Sequence, residues 1–166
     1  MYKIIPMINH DQQEYEQTKQ LAINFFTNNK EIKSLCFGNI RLNNHGLFHL
    51  IFKNKNCKRD LKNQIKRFQL LQYIKPVLEN MKYYQEYLEK IENIKVKNHG
   101  LIDFRHKIVK YWAFIAIINN RIRIKIILKK IGNGEIFFWS IIPYWKTKHY
   151  KDIKFISLHK GNLNED

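Results

Sequence analysis

Residues 108–142 read IVKYWAFIAIINNRIRIKIILKKIGNGEIFFWSII, and this stretch decides the fold. Ile108–Ile118 is a run of Ile, Val and aromatic residues, Asn119-Asn120 suits a tight turn, and RIRIKIILKK alternates from its first residue, which predicts a β-hairpin. Gly132-Asn133-Gly134 makes a second turn into IFFWSII, so segments near 108–118, 121–130 and 136–142 form a three-stranded meander. Residues two apart in a strand share a face. Arg121, Arg123 and Lys125 therefore project together, with Ile122, Ile124 and Ile126 turned to the core. Cations about 6.5–7 Å apart along a strand approximate the phosphate spacing of one nucleic-acid strand. The sequence thus predicts an open cationic face.

Upstream the spacing is helical. DQQEYEQ opens a first amphipathic helix from Asp11 to about Asn28, with Tyr15, Leu21, Ala22 and Phe25 apolar. A short helix or turn over Glu31–Phe37 would be closed by Gly38. Asn43-Asn44-His45-Gly46 reads as a turn and LFHLIFK after it as a strand. Leu61, Ile65, Phe68 and Leu71 give a basic amphipathic helix with Lys62, Lys66 and Arg67 elsewhere on the cylinder. Pro76 suits the first turn of a third helix running to about Ile91, with Val77, Met81, Tyr84, Leu88 and Ile91 inward. The expectation is an α+β fold: N-terminal helices and a helical hairpin packed on a curved, mainly antiparallel C-terminal sheet. No repeat or linker divides residues 1–166, which read as a single domain.

The charge has a direction along the chain. Among 166 residues, 30 Lys and Arg against 14 Asp and Glu give +16. Residues 1–38 are neutral, 39–92 carry +6 and 93–160 carry +12, with −2 in the last six. The 26 Ile, 24 Lys and 18 Asn follow from AT-rich codons, but codon pressure would load every segment alike. Concentrated positive charge points to a polyanion, with nucleic acid first. A neutral helical segment, 1–38, would then precede a basic core, 39–160. Cys36 and Cys57 have no paired spacing, and no stretch reaches the ~20 apolar residues of a membrane span. A cytoplasmic protein with no membrane association is expected.

The chemistry-bearing residues suit RNA cleavage without a metal. A base removes the 2′-OH proton, an acid protonates the leaving 5′-oxygen, and Arg or Lys neutralises the phosphoryl charge. His45 and His49 lie four apart but lack the Glu and third ligand of a zinc site, so no metal and no cofactor is expected. Glycine loops for nucleotides and a GxSxG elbow are missing, and 14 acidic residues supply two-metal chemistry poorly. Trp139 and Trp145, beside the cationic strand, could stack on unpaired bases.

The order of parts, a helix, HGLFHLIFKNKNCKR, a helical hairpin, then the cationic and FWSIIP strands, resembles the BECR group of metal-independent ribonucleases, which includes barnase, EndoU, certain colicins and RelE-type toxins. The resemblance covers about residues 40–146. It implies that helices precede a curved sheet whose concave face takes RNA. It also implies that His45 or His49 is the acid or base, that Arg123 and Lys125 bind the scissile phosphate, and that Ser140 assists. Lys53, Arg59, Arg105 and Arg121 are further RNA-binding candidates. A toxin of a toxin–antitoxin or phage-related system, restrained by an acidic antitoxin or immunity protein, is the partner expectation that follows. The rival readings are a non-catalytic single-strand nucleic-acid-binding protein using the same sheet and an adaptor whose basic face docks on an acidic protein.

Overall fold

A computed structural model describes residues 10–119 and 122–146. The chain is mixed α+β, with its helices mostly in the N-terminal half and a mainly antiparallel six-stranded sheet in the C-terminal half. Helix α1 (His10–Asn28) turns Tyr15, Ala22 and Phe26 inward and leaves Leu21 exposed. The hairpin of β1 (Glu31–Ser34) and β2 (Gly38–Arg41) follows, then α2 (Asn44–Ile51) and a small ribbon of β3 (Phe52–Asn54) and β4 (Cys57–Lys58). Helix α3 (Leu61–Leu70) passes through a 3-10 turn (Leu71–Tyr73) into α4 (Ile74–Asn80). Four long strands complete the sheet: β5 (Glu86–Asn98), β6 (Leu101–Ile118), β7 (Ile122–Ile131) and β8 (Phe137–Lys146). The sheet order is β1-β2-β8-β7-β6-β5, and β2 meets β8 in parallel at a single pair, Arg41 with Phe137.

The predicted meander is present in full. β6 pairs with β7 and β7 with β8, both antiparallel. Asn119 takes the positive φ of 51° that a tight turn demands, and Gly132 takes 53° at the second turn.

Three local expectations are overturned. Glu31–Phe37 is not helical, because Ile32 and Ser34 point inward while Glu31 and Lys33 point out, a period of two that β1 uses. LFHLIFK is mostly helix, because the Asn43 side chain caps α2 by accepting from the backbone N–H of His45 (3.1 Å) and Gly46 (3.2 Å). The third helix stops at Asn80, so the helical hairpin is reduced to α3, the 3-10 turn and the short α4. Beyond it, Leu88, Ile94 and Val96 share one strand face, and thirteen register pairs with β6 outweigh the local helical spacing.

The cationic strand β7 is buried on both faces, and this overturns the expected open cationic face. Trp112, Phe114, Ile124, Ile126, Leu128, Phe138 and Ile141 pack against the helices. On the other face a second cluster forms from Val109, Tyr111, Ala113 and Ile127, with Leu88, Ile94, Ile131, Trp139 and Ile142 around it. Arg123 and Lys125 belong to this second face, and only 6% and 1% of each is exposed. Alternation does separate them from the isoleucines, as predicted. Both sides of β7 are nonetheless interior.

Candidate functional site

The site is assembled where α2 and α3 pack against β8. Gly46 lies against the strand so closely that a Cβ there would fall 2.6 Å from the Phe138 carbonyl oxygen, so only glycine allows α2 this seat. One helical turn later the His49 ring lies on the Trp139 indole, with ring centres 4.1 Å apart. The Lys129 ammonium sits 4.2 Å from the centre of the Trp139 ring and 4.9 Å from that of Tyr111, a cation–π arrangement. From α3, Arg67 reaches β8 and donates through Nη1 to Ser140 Oγ (2.8 Å) and the Ile141 carbonyl (3.2 Å). Arg59 donates through Nε to the His49 carbonyl at 3.2 Å.

Among the described residues, this cluster gathers several strongly shifted groups. His49 is 6% exposed, and burial, then the charges of Arg59, Arg67 and Lys129, pull its imidazole down to about 3. The ring is therefore neutral at pH 7. Burial lowers the Lys129 ammonium below its ordinary value, and the Glu92 carboxylate, 3.5 Å away, opposes that shift. Burial would raise Glu92, yet hydrogen bonds from Lys90 and Tyr111 and the charge of Lys129 hold it below the usual range. Tyr111 Oη donates to Glu92 at 2.6 Å, and burial with that bond raises its phenol. Two buried polar atoms in the centre of this cluster, His49 Nδ1 and Trp139 Nε1, have no hydrogen-bond partner among the described residues. Unsatisfied buried polar groups cost about 1–3 kcal/mol each, so such a pair calls for a function.

The structure sorts the expected site residues into two groups. His49, Trp139, Ser140 and Arg59 come together, but Ser140 is fully buried and serves as an acceptor for Arg67. Lys125 is held by Glu86 at 3.0 Å instead of facing solvent, and Arg123 is buried on the same face. His45 is exposed at the start of α2 beside Phe137, with ring centres 6.1 Å apart. Lys53 is exposed on β3. Arg105 lies far along β6, paired with Asp103 at 3.3 Å. Trp145 stands opposite Arg123 in the β7–β8 register, and Arg121 lies outside the described residues.

Sequence reasoning missed Lys129, Arg67, Glu92 and Tyr111. Lys129 was within reach, because it continues the period-two set of Arg123 and Lys125. Arg67 lies off the apolar stripe of its helix and is nonetheless only 2% exposed. Glu92 falls just past the helix expected to run to about Ile91, and that helix ends at Asn80, which leaves Glu92 to β5.

A second basic feature lies on the helix-bearing face, beyond the helices. Lys107, Ile108, Lys110, Lys130, Gly132 and Asn133 line a groove of about 470 Å³. Lys110 and Lys130 oppose each other directly in register, and Glu89 pairs with Lys110 at 3.3 Å.

Among the described residues, no three His, Cys, Asp or Glu side chains form a metal-binding group, and no helix is long and apolar enough to cross a membrane. No family model matches the chain, and no curated protein and no solved structure matches it.

Proposed function

We propose that the chain is a metal-independent endoribonuclease whose reacting groups surround His49. The observation that carries this reading is the pair of unpartnered buried atoms, His49 Nδ1 and Trp139 Nε1, in a cluster that also holds Lys129, Arg59 and Arg67. Clusters of titratable groups with strongly shifted proton affinities mark functional sites. An indole N–H and nearby cations suit a phosphodiester oxygen, and the neutral imidazole becomes a stronger proton acceptor as a bound phosphate offsets the cations that hold it low.

In this reading His49 takes the proton from a ribose 2′-OH, and the 2′-oxygen bonds to the adjacent phosphorus. The bond from phosphorus to the 5′-oxygen breaks, and Lys129, whose burial makes it a readier acid, protonates the leaving oxygen. The products are a 2′,3′-cyclic phosphate and a 5′-hydroxyl. Arg59 and Arg67 contribute positive potential, and Trp139, which is only partly buried, forms the rim by which RNA approaches. Arg123 and Lys125 are not open phosphate ligands in this scheme. The resemblance to BECR ribonucleases supports it through the order of helices and sheet, and an acidic inhibitory partner belongs to the same proposal.

The groove of Lys107, Lys110 and Lys130 favours a second reading, a single-strand nucleic-acid-binding protein without catalysis. One assay separates the two. RNA incubated with the purified chain in excess chelator is cut, leaves 2′,3′-cyclic phosphate ends, and is cut about 10²–10⁴-fold more slowly by His49→Gln. RNA that is bound but stays intact overturns the nuclease reading.

A further inference from the structure

β5 forms one border of the sheet, and among the described residues no strand pairs with its outer edge. A strand edge of thirteen residues presents a row of N–H and C=O groups able to pair with another chain. Charged residues ordinarily keep such edges apart. The order of charges here does the opposite. Reading EYLEKIENIKVKN, Glu86, Glu89 and Glu92 come mostly first and Lys90, Lys95 and Lys97 mostly last, so the strand is neutral within a chain of +16. Turned antiparallel against itself, its acidic end meets its basic end.

We infer that the protein forms a two-fold homodimer by antiparallel pairing of β5 with β5 of a second copy, centred on Ile91, which joins two six-stranded sheets into one. A two-fold axis normal to the sheet keeps each face continuous, so only residues of the same parity oppose each other. With Ile91 on the axis, Lys90 opposes the partner's Glu92 and Leu88 opposes the partner's Ile94, each twice. Lys90 already lies 2.9 Å from Glu92 of its own chain, so the two copies would form one alternating four-charge network. On the opposite face Ile91, now 71% exposed, would meet the partner's Ile91. Its register partner Ile108 is exposed as well, so four isoleucines would line up across the junction. The neutral edge also argues against a polyanion or an acidic peptide as the occupant, since neither gains from alternating charge. Parallel pairing would set Glu beside Glu.

This inference does not depend on the reading of the His49 cluster. Its test is sedimentation of the full chain with two substitutions at an exposed position that leaves the fold untouched. The wild type is expected at twice 20.3 kDa, and Ile91→Asp and Ile91→Lys each at 20.3 kDa, because each sets like charges together at the axis and weakens pairing at least about tenfold. An equal mixture of the two variants is expected to return to the doubled mass. Near-ultraviolet circular dichroism checks that both variants keep the native packing. A wild type that stays at 20.3 kDa at every concentration, variants that remain dimeric, or a mixture that fails to pair would each overturn the proposal.

Discussion

The Lys125 ammonium lies 3.0 Å from the Glu86 carboxylate, and the two residues are separated by the full width of β6. Lys125 is 1% exposed, so this carboxylate compensates a charge that has left water almost completely. Removing one partner of a buried pair leaves an uncompensated charge, whereas replacing both with apolar groups is often neutral.

Glu86→Gln is therefore expected to lower unfolding stability by about 1–3 kcal/mol in urea titrations, the Glu86 side chain being 34% exposed, and Glu86→Gln with Lys125→Met to recover most of it. A single substitution with no effect would show that Lys125 does not depend on this pair.

The low value of His49 gives a stability change with a definite sign. The folded imidazole titrates near 3 and the unfolded one near 6.5. Between these values the unfolded chain binds the extra proton, so stability is full above about 6.5 and falls as pH drops toward 3. Comparing wild type with His49→Phe isolates this from the carboxylates. Between about pH 6 and 5 the wild type should lose about 1 kcal/mol more than the variant in denaturant titrations. Parallel pH profiles would contradict the buried, neutral imidazole.

Gly46→Ala tests how α2 positions His49. The added methyl meets the backbone oxygen of Phe138, which cannot swing away as a side chain could. The helix must shift, at a cost of about 1–3 kcal/mol, and RNA cleavage should fall by more than the loss of folded protein explains. Thermal unfolding and cleavage rates measured together check both parts.

Arg67 and Ser140 separate anchoring from chemistry. Arg67→Met removes two bonds to β8 and leaves the Ile141 carbonyl without this donor, so a loss of about 2–4 kcal/mol is expected. Ser140→Ala removes one acceptor and should cost about 1 kcal/mol with cleavage retained. Loss of cleavage in a fully folded Ser140→Ala protein would return Ser140 to the reacting groups.

Local signals carried some parts of this protein and failed at others for identifiable reasons. The hairpins around Asn119 and Gly132–Gly134 were legible because turn chemistry and period-two alternation agree there. The inward stripe of α3 was legible from Ile65 and Phe68. The residues Glu86–Ile91 carry helical spacing as well as strand alternation, and long-range pairing with β6 selects the strand. The candidate site was half legible. His49 and Trp139 were named from residue type and Ser140 and Arg59 from the resemblance, but alternation tells only which residues share a face, not whether that face meets water. The acidic residues that compensate Lys125 and Lys129 come from β5, whose first half, with Glu86, carries the spacing of a helix expected to end near Ile91.

The account stands on RNA phosphate reaching the His49 cluster, and the imidazole itself reports on that. Nitrogen NMR titration of His49, free and saturated with an oligonucleotide whose 2′-oxygens are blocked, measures it directly. Burial, the largest cause of the low value, persists in the complex, but a bound phosphate offsets the charges of Arg59, Arg67 and Lys129, so the imidazole should rise measurably above 3. A ring that still titrates near 3 with the oligonucleotide bound, or an oligonucleotide that does not bind, would contradict the account.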